Sequence, residues 1–434
     1  MRAFESFTRQ LERLAQIALT GPPESFPMDK VSLVLNGRVA DEFFRRVPRS
    51  QRKSTGTFFT VAPLQSPAFR TLQLAAAAKQ TILDPACGAG DLLLAQAAHL
   101  PVSDCFYSTL LDWGKRLHGY DLHSQLIRSA RARLVLAAFL RTRSLPRSSM
   151  ACDLRDCFPH IRCGDGLASL SPMERAPHIL LNPPFTQSLA PASCSWGSGR
   201  VSDAAVFLEY LVRHSQADTL ITAVLPDVLR SGARYERWRA YISSRATIDL
   251  IDVFGAFDTR VDVDVFVVNL TLRDAPQQPR PAWCEYDDDA NHRIGDFFSI
   301  SVGPVVPHRD PEVGPLTPYL HARTAKPWQE LDKLHERRRH PGRVTSPPFV
   351  VVRRTSSPRD RARAKASLIT GKLPIAVENH LLILEPLDHS LETCRAAIFS
   401  LRNEDTSRWL NRRIRCRHLT VAALSDLPFW NHAK

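Results

Sequence analysis

From residue 80 onward the chain alternates between short apolar runs that stop at Gly, Asp or Asn and longer stretches in which apolar residues return at helical spacing. Thr81–Asp84, Leu117–Asp121, His160–Cys163, His178–Asn182, Thr219–Leu225, Thr247–Val253 and Val263–Leu270 are four to eight residues long, and they predict seven strands. Helices are predicted from Asp91, up to about Leu140, and over 234–245. This order predicts an α/β fold: a doubly wound, mostly parallel seven-stranded sheet covered on both faces. Ligands of such sheets bind beyond the carboxyl ends of the strands.

The flanks read differently. Phe4, Phe7, Leu11 and Leu14 recur at helical spacing while Arg9, Glu12 and Arg13 lie off that face, so residues 1–50 are expected to be a helical segment that docks on the domain. Its mixed charge argues against a transit peptide. Eight prolines between Pro276 and Pro318 interrupt any long element, which sets a junction over 275–320, after a domain spanning 51–274. In the region 321–434, Trp328–Arg339 is predicted as helix, with strand-like runs at Phe349–Arg353 and His380–Leu384.

Composition narrows the class. Of 434 residues, 44% are hydrophobic and 23% charged, enough apolar side chain for more than one core. Apolar runs such as Leu134–Leu140 are far shorter than a membrane span requires, and no secretory signal is read at the start. The nine cysteines form no C-x-x-C pair, so free thiols in a cytoplasmic setting are expected, with no metal site. The net charge is +13, and residues 331–434 hold 20 Lys and Arg against 10 Asp and Glu, so the excess sits in the last quarter of the chain. A basic segment of this kind suits a polyanion or a well-solvated surface.

Four sequences at predicted strand ends carry the chemistry. Asp84-Pro85-Ala86-Cys87-Gly88-Ala89-Gly90 is a glycine turn between strand and helix. Its spacing is neither that of a dinucleotide fingerprint nor that of a phosphate-cradling loop. An acid before the turn would repel a pyrophosphate but accept from a cationic amine. Asp121 closes the second strand, where an acid can take ribose hydroxyls or simply cap a helix. Asp165 sits in the Gly164–Gly166 turn, suited to an adenine amino group or to the turn alone. Asn182-Pro183-Pro184-Phe185 ends the fourth strand. The prolines remove two backbone donors. They leave the Asn182 side-chain oxygen and the Pro183 carbonyl as acceptors for an exocyclic amine, with the Phe185 ring to stack on its base. A base in a duplex would have to flip out to reach it.

These signals in this order resemble the class I S-adenosylmethionine-dependent methyltransferases, and more narrowly the gamma-class N6-adenine DNA methyltransferases of restriction-modification systems. That family carries D-P-A-C-G-S-G, N-P-P-[YF] and, before the first strand, G-x-F-Y-T-P. Here the last is Gly56-Thr57-Phe58-Phe59-Thr60-Val61, with Phe59 for Tyr and Val61 for Pro. Val224-Leu225-Pro226 and the Val-rich hairpin through Val253–Asn269 also look like the family. The resemblance covers about residues 50–272. It implies S-adenosyl-L-methionine as cofactor, held by Phe58, Phe59, Thr60, Asp84, Ala86, Cys87, Gly88, Gly90, Asp121 and Asp165. It implies Asn182, Pro183, Pro184 and Phe185 as the group holding the target base for direct attack by its amine. Asp121 stands where Glu is common and Phe185 where Tyr is commoner.

The expected function is therefore methyl transfer to adenine N6 in double-stranded DNA after base flipping, as the modification part of a restriction-modification or related defence system. The basic region 321–434 is then the DNA-recognition part, with Arg353, Arg354, Arg361, Arg412, Arg413 and Arg415 as contacts. A separate restriction endonuclease or specificity subunit is the natural partner. Guanine N2 of RNA and glutamine side chains of proteins are the alternative acceptors, because N-P-P-[YF] serves those amines too. A methyltransferase fold serving as a silent subunit is a third reading.

Overall fold

The computed structural model describes residues 2–20, 31, 34–35, 38–48, 80–145, 153–168, 176–258, 261–274, 283–284 and 291–430. The chain divides into two compact units, Met1–Leu229 with Arg234–Pro281, and Arg230–Ala233 with Ala282–Lys434.

The first unit is built on the sheet that the alternating pattern predicts. Its strands are β1 (Ile82–Asp84), β2 (Leu117–Asp121), β3 (Ile161–Cys163), β4 (His178–Leu181), β7 (Leu220–Pro226), β8 (Ala246–Asp258) and β9 (Val261–Leu272). They lie in the order β3-β2-β1-β4-β7-β9-β8. The first five are parallel, and β9 and β8 close the sheet as an antiparallel hairpin. All seven predicted strands are present. A short hairpin of β5 (Gln187–Leu189) and β6 (Arg200–Ser202), which the pattern does not signal, stands apart as its own two-stranded sheet.

Helices α1 (Glu5–Thr20), α2 (Arg38–Arg46), α3 (Asp91–Ala97), α4 (Phe106–Arg116), α5 (Ser124–Arg141), α6 (Asp203–His214) and α7 (Glu236–Ser243) belong to this unit. Helix α5 buries residues around most of its circumference, from Leu126 to Phe139. That is why its sequence lacks a clear polar stripe. The amphipathic α1 docks as expected: Phe7 and Leu11 are buried in the core shared with α5, and Arg128 of α5 forms ion pairs with Glu5 and Glu12.

The second unit holds a five-stranded sheet, β10-β17-β14-β15-β12, and a three-stranded one, β13-β11-β16. These strands are β10 (Phe298–Val302), β11 (Leu316–Leu320), β12 (Glu330–Leu331), β13 (Arg337–Arg339), β14 (Phe349–Arg353), β15 (Ala366–Ile369), β16 (Ala376–Val377) and β17 (Leu381–Pro386). Helices α8 (Leu391–Arg402), α9 (Glu404–Arg413) and α10 (Val421–Ser425) follow. Along β14, Val350 and Val352 enter one core cluster while Phe349 and Val351 enter another. Alternate residues point to opposite faces, and both faces are covered, so the run is apolar throughout.

The helix expected over Trp328–Arg339 is not formed. Glu330–Leu331 pairs in parallel with Leu368–Ile369, and Arg337–Arg339 pairs with Leu316–Pro318. Strand pairing distant in sequence overrides the local helical spacing. Parts of the Pro-rich stretch 275–320 also fold, as β10 and β11, within the second unit.

Candidate active site

β1 pairs with β2 on one side and with β4 on the other. The chain order reverses between β1 and β4, which is where an open α/β sheet leaves a crevice at its carboxyl edge. Two of the four candidate loops leave the sheet there: Asp84–Gly90 after β1 and Asn182–Phe185 after β4.

The first loop is tied tightly. Gly88 and Gly90 have φ of 53° and 85°, values that disfavour a side chain. The Gly90 amide donates to the Cys87 carbonyl at 2.8 Å, and the Cys87 amide donates to the Tyr120 carbonyl at 2.8 Å. A Cβ on Gly90 would lie 3.0 Å from the Ala130 Cβ of α5, and one on Gly119 would lie 3.0 Å from the Cys87 Sγ. Cys87 is buried, and burial pushes its thiol pKa well up, so this sulfur packs as a small apolar group.

Asp84 is 1% exposed and accepts from the Ala86 amide at 3.0 Å. Burial first, then the charges of Asp121 and Asp91, push its pKa from 3.8 up to about 8. Asp121 uses one oxygen to accept from the His123 amide at 2.7 Å and lies 3.1 Å from the His123 Nδ1. Its carbonyl accepts from the Gly164 amide at 3.0 Å. Asp165 is exposed and accepts from the Leu167 amide at 3.0 Å. Its neighbour Gly166 is buried directly against the Pro85 backbone. The ends of β1, β2 and β3 thus form one interlocked edge bearing three carboxylates.

In the second loop Pro183 is buried, while Asn182, Pro184 and Phe185 are half-buried, and Phe185 packs on the main core. The chain then runs straight into the β5–β6 hairpin, which is anchored at its base. Asp203 donates its amide to the Thr186 carbonyl at 3.0 Å, and the Ser202 amide donates to the Tyr235 hydroxyl at 3.1 Å. Phe58, Phe59 and Thr60 lie outside the described residues.

One residue of consequence escaped the sequence reading. Arg133 of α5 is 1% exposed and donates to the Ala89 carbonyl at 2.7 Å and the Val34 carbonyl at 3.1 Å. It also forms an ion pair with Asp91 at 2.8 Å. It clamps the glycine loop from behind. An arginine set between Ala132 and Leu134, at the head of the apolar run of α5, was the available signal.

In the second unit the predicted arginines separate into two kinds. Arg353 donates to the Ala325 carbonyl at 3.2 Å, Arg354 to the Asn379 carbonyl at 3.4 Å, and Arg413 pairs with Asp426 at 3.2 Å. Each is only half-exposed, as is Arg415. Arg361 and Arg412 are exposed. Among the described residues no group of His, Cys, Asp and Glu is placed to hold a metal ion, and no helix is long and apolar enough to cross a membrane.

No family model and no curated protein matches the chain. Solved structures do. The type IIL restriction-modification enzyme MmeI, in complex with DNA, aligns over 89% of this chain and 70% of its own, at 12% identity and a TM-score of 0.52. A chain described as the modification subunit of a type I restriction enzyme from Vibrio vulnificus aligns over 57% of this chain, at 18% identity and a TM-score of 0.38. This protein spans only 50% of that subunit's length. The EcoKI M protein aligns over 64% of each chain at 16% identity and a TM-score of 0.37. The likeness to MmeI is one of fold, and with the strand order above it gives the first unit the class I methyltransferase-like α/β architecture.

Proposed function

We propose that the chain is a DNA methyltransferase that transfers a methyl group from S-adenosyl-L-methionine to adenine N6, the modification part of a restriction-modification system. The observation that carries this reading is the pairing of β1 with β4, which puts the Asp84–Gly90 and Asn182–Phe185 loops at the one switch point of the sheet.

The cofactor suits the residues that would hold it. A carboxyl as buried as Asp84 is costly to ionise alone. A cationic amine such as that of the cofactor's amino-acid end is the partner it calls for. The Ala86–Gly90 backbone turns close enough to follow that end. Asp121 keeps one oxygen for ribose hydroxyls, and Asp165, in its exposed turn, is free of deep burial and can meet the adenine amine. Phe58, Phe59 and Thr60 complete the set by resemblance. When bound, the cofactor supplies an electrophilic methyl group.

The remaining work falls to the second loop. Asn182 Oδ1 and the Pro183 carbonyl accept the two hydrogens of the target amine. This turns the nitrogen lone pair out of conjugation and toward the methyl group. Pro184 stiffens the turn, and Phe185 stacks on the flipped base. MmeI, with the same fold, was captured in complex with DNA, and the basic second unit here suits the same partner. A restriction endonuclease or specificity subunit would act as a separate protein.

The test is transfer of labelled methyl from S-adenosylmethionine to unmethylated genomic DNA, RNA and protein in parallel, with Asn182→Ala beside the wild type. N6-methyladenine in DNA, absent with the variant, is the expected result. Label on RNA or protein would move the substrate to guanine or glutamine. Cofactor binding without any transfer would make the chain a silent subunit.

A further inference from the structure

The β5–β6 hairpin leaves the Asn182–Phe185 loop at once, with only Thr186 between Phe185 and the start of β5. Its root is locked. The Thr186 hydroxyl donates to the Asp203 carboxylate, while the Asp203 amide returns to the Thr186 carbonyl at 3.0 Å. Arg234 donates to the Ser198 and Arg200 carbonyls at 2.8 and 2.6 Å, and Arg200 donates across the hairpin to the Gln187 carbonyl. Trp196, at the far end, is buried with its ring centroid 6.0 Å from that of Tyr235. The hairpin is a braced arm rather than a loose loop.

The strand register decides what the arm presents. Ser188 pairs with Val201 and Leu189 with Arg200. Paired residues share a face, and neighbours along a strand alternate between faces. Val201 is fully buried, which turns its face toward the domain and sends Leu189 and Arg200 to the other. Leu189 is 74% exposed, more than any other large hydrophobic residue among those described. Single apolar residues are ordinary on a surface. This one stands on a braced arm, and four residues of chain hold it no more than about 14 Å from Phe185. The arm is also slim and free of acids. Thr186–Ser202 contains no Asp or Glu, and apart from the buried Trp196, Ala190–Gly199 consists of Ala, Pro, Ser, Cys and Gly. A two-stranded ribbon fits a DNA groove, and one without carboxylates meets no repulsion from phosphates.

We propose that Leu189 is a wedge, which enters the duplex where the target adenine leaves and fills the space that the flipped base vacates. Extruding a base forfeits its stacking on both neighbours. An apolar side chain in the gap restores contact with those neighbours, and it can do so only once the base is out. It therefore favours the extruded state over the paired one. The wedge rests on the adenine methylation proposed above, because it needs a flipped base to replace.

The experiment uses the full chain and short duplexes carrying a site defined by sequencing DNA that the wild type has methylated. The wild type is compared with Leu189→Ala, with Leu189→Met and, as control, with Val102→Ala, another exposed apolar residue of the first unit. Transfer is measured on a matched duplex and on one in which the target adenine faces a mismatched base. Leu189→Ala should lower kcat/KM on the matched duplex by about tenfold or more, the scale set by uncompensated unstacking of one base. On the mismatched duplex it should approach the wild type, because a mispaired base is already cheaper to extrude. Leu189→Met keeps the apolar bulk and should retain most of the rate. The control should behave as wild type, and all melting temperatures should agree because the altered side chains are exposed. With 2-aminopurine in place of the target adenine, fluorescence should rise less on binding Leu189→Ala than on binding the wild type.

Full activity of Leu189→Ala on the matched duplex would overturn the wedge. So would an equal loss on both duplexes, which would place the effect of Leu189 after extrusion. A wild type that leaves DNA unlabelled defeats the methylation reading, and the wedge falls with it. N6-methyladenine formed equally well by the wild type and by Leu189→Ala defeats the wedge alone.

Discussion

Gly166 approaches Pro85 so closely that a methyl group on it would lie 1.9 Å from the Pro85 carbonyl oxygen. The obstacle is backbone and cannot swing aside. Gly166→Ala is therefore expected to push the β3 turn away from the β1 loop. The expected cost is about 1–3 kcal/mol, the usual penalty for overpacking, read by urea denaturation. Cofactor affinity should fall with it, because Asp165 and Asp84 no longer share one edge. Undiminished stability and affinity would show that the contact is not needed.

Asp84 gives a pH signature with a definite sign. Its folded pKa, pushed up to about 8, stands above the ordinary 3.8. The free protein should have the full benefit of the protonated carboxyl below pH 3.8, lose stability as pH rises through the window up to about 8, and level off above it. Asp84→Asn should abolish that slope. A cationic ligand favours the ionised carboxyl, so its binding at neutral pH should release a proton. Calorimetry in two buffers of different ionisation enthalpy reads this, and the variant should show no such release.

Arg133 can be tested by removal and by conservative exchange. Arg133→Met leaves the Asp91 carboxylate and two carbonyls without their buried donor, a change expected to cost about 3–5 kcal/mol. Arg133→Lys should recover little, because one ammonium cannot span three separated acceptors. Chemical denaturation gives the cost. Cofactor affinity of the folded fraction shows whether the glycine loop has loosened, which a loss of packing elsewhere would not move.

For Phe185 the discriminating pair is Tyr and Ala. Phe185→Tyr keeps a stacking face and should retain transfer. Phe185→Ala should lower kcat/KM on DNA by roughly 10- to 100-fold, from a stacking contribution of about 1–3 kcal/mol. Equal loss in both variants would mean that the ring serves packing against the core rather than the base.

The parts legible in the sequence are those set by neighbours in the chain. Glycines at Gly88 and Gly90, the double proline at Pro183 and the acids closing β1 and β2 each declare a local backbone demand, and the structure meets each of them. What was not legible depends on partners far away. Trp328–Arg339 has helical spacing but pairs as strands with residues on either side of it. The arginines of 353–363 and 412–417 read as one undifferentiated charge. Yet Arg363 is buried as a fastening and Arg413 is held by Asp426, while Arg361 stays exposed. Composition counts cations but does not say which are spent internally.

Helix α5 links two places with no sequence relationship. Arg128 holds the N-terminal helix, and further along α5, Ala130 and Arg133 seat the glycine loop, with Arg133 also reaching back to Val34. Through this shared support, whatever steadies the loop also steadies the N-terminal segment, and the reverse holds by linkage. A ligand on the loop should slow proteolytic trimming of α1. A chain cut after Thr20, and so lacking α1, should release its cofactor faster, although no residue of α1 belongs to the proposed pocket. The amino terminus would then be a remote handle on occupancy, open to any partner that grips it.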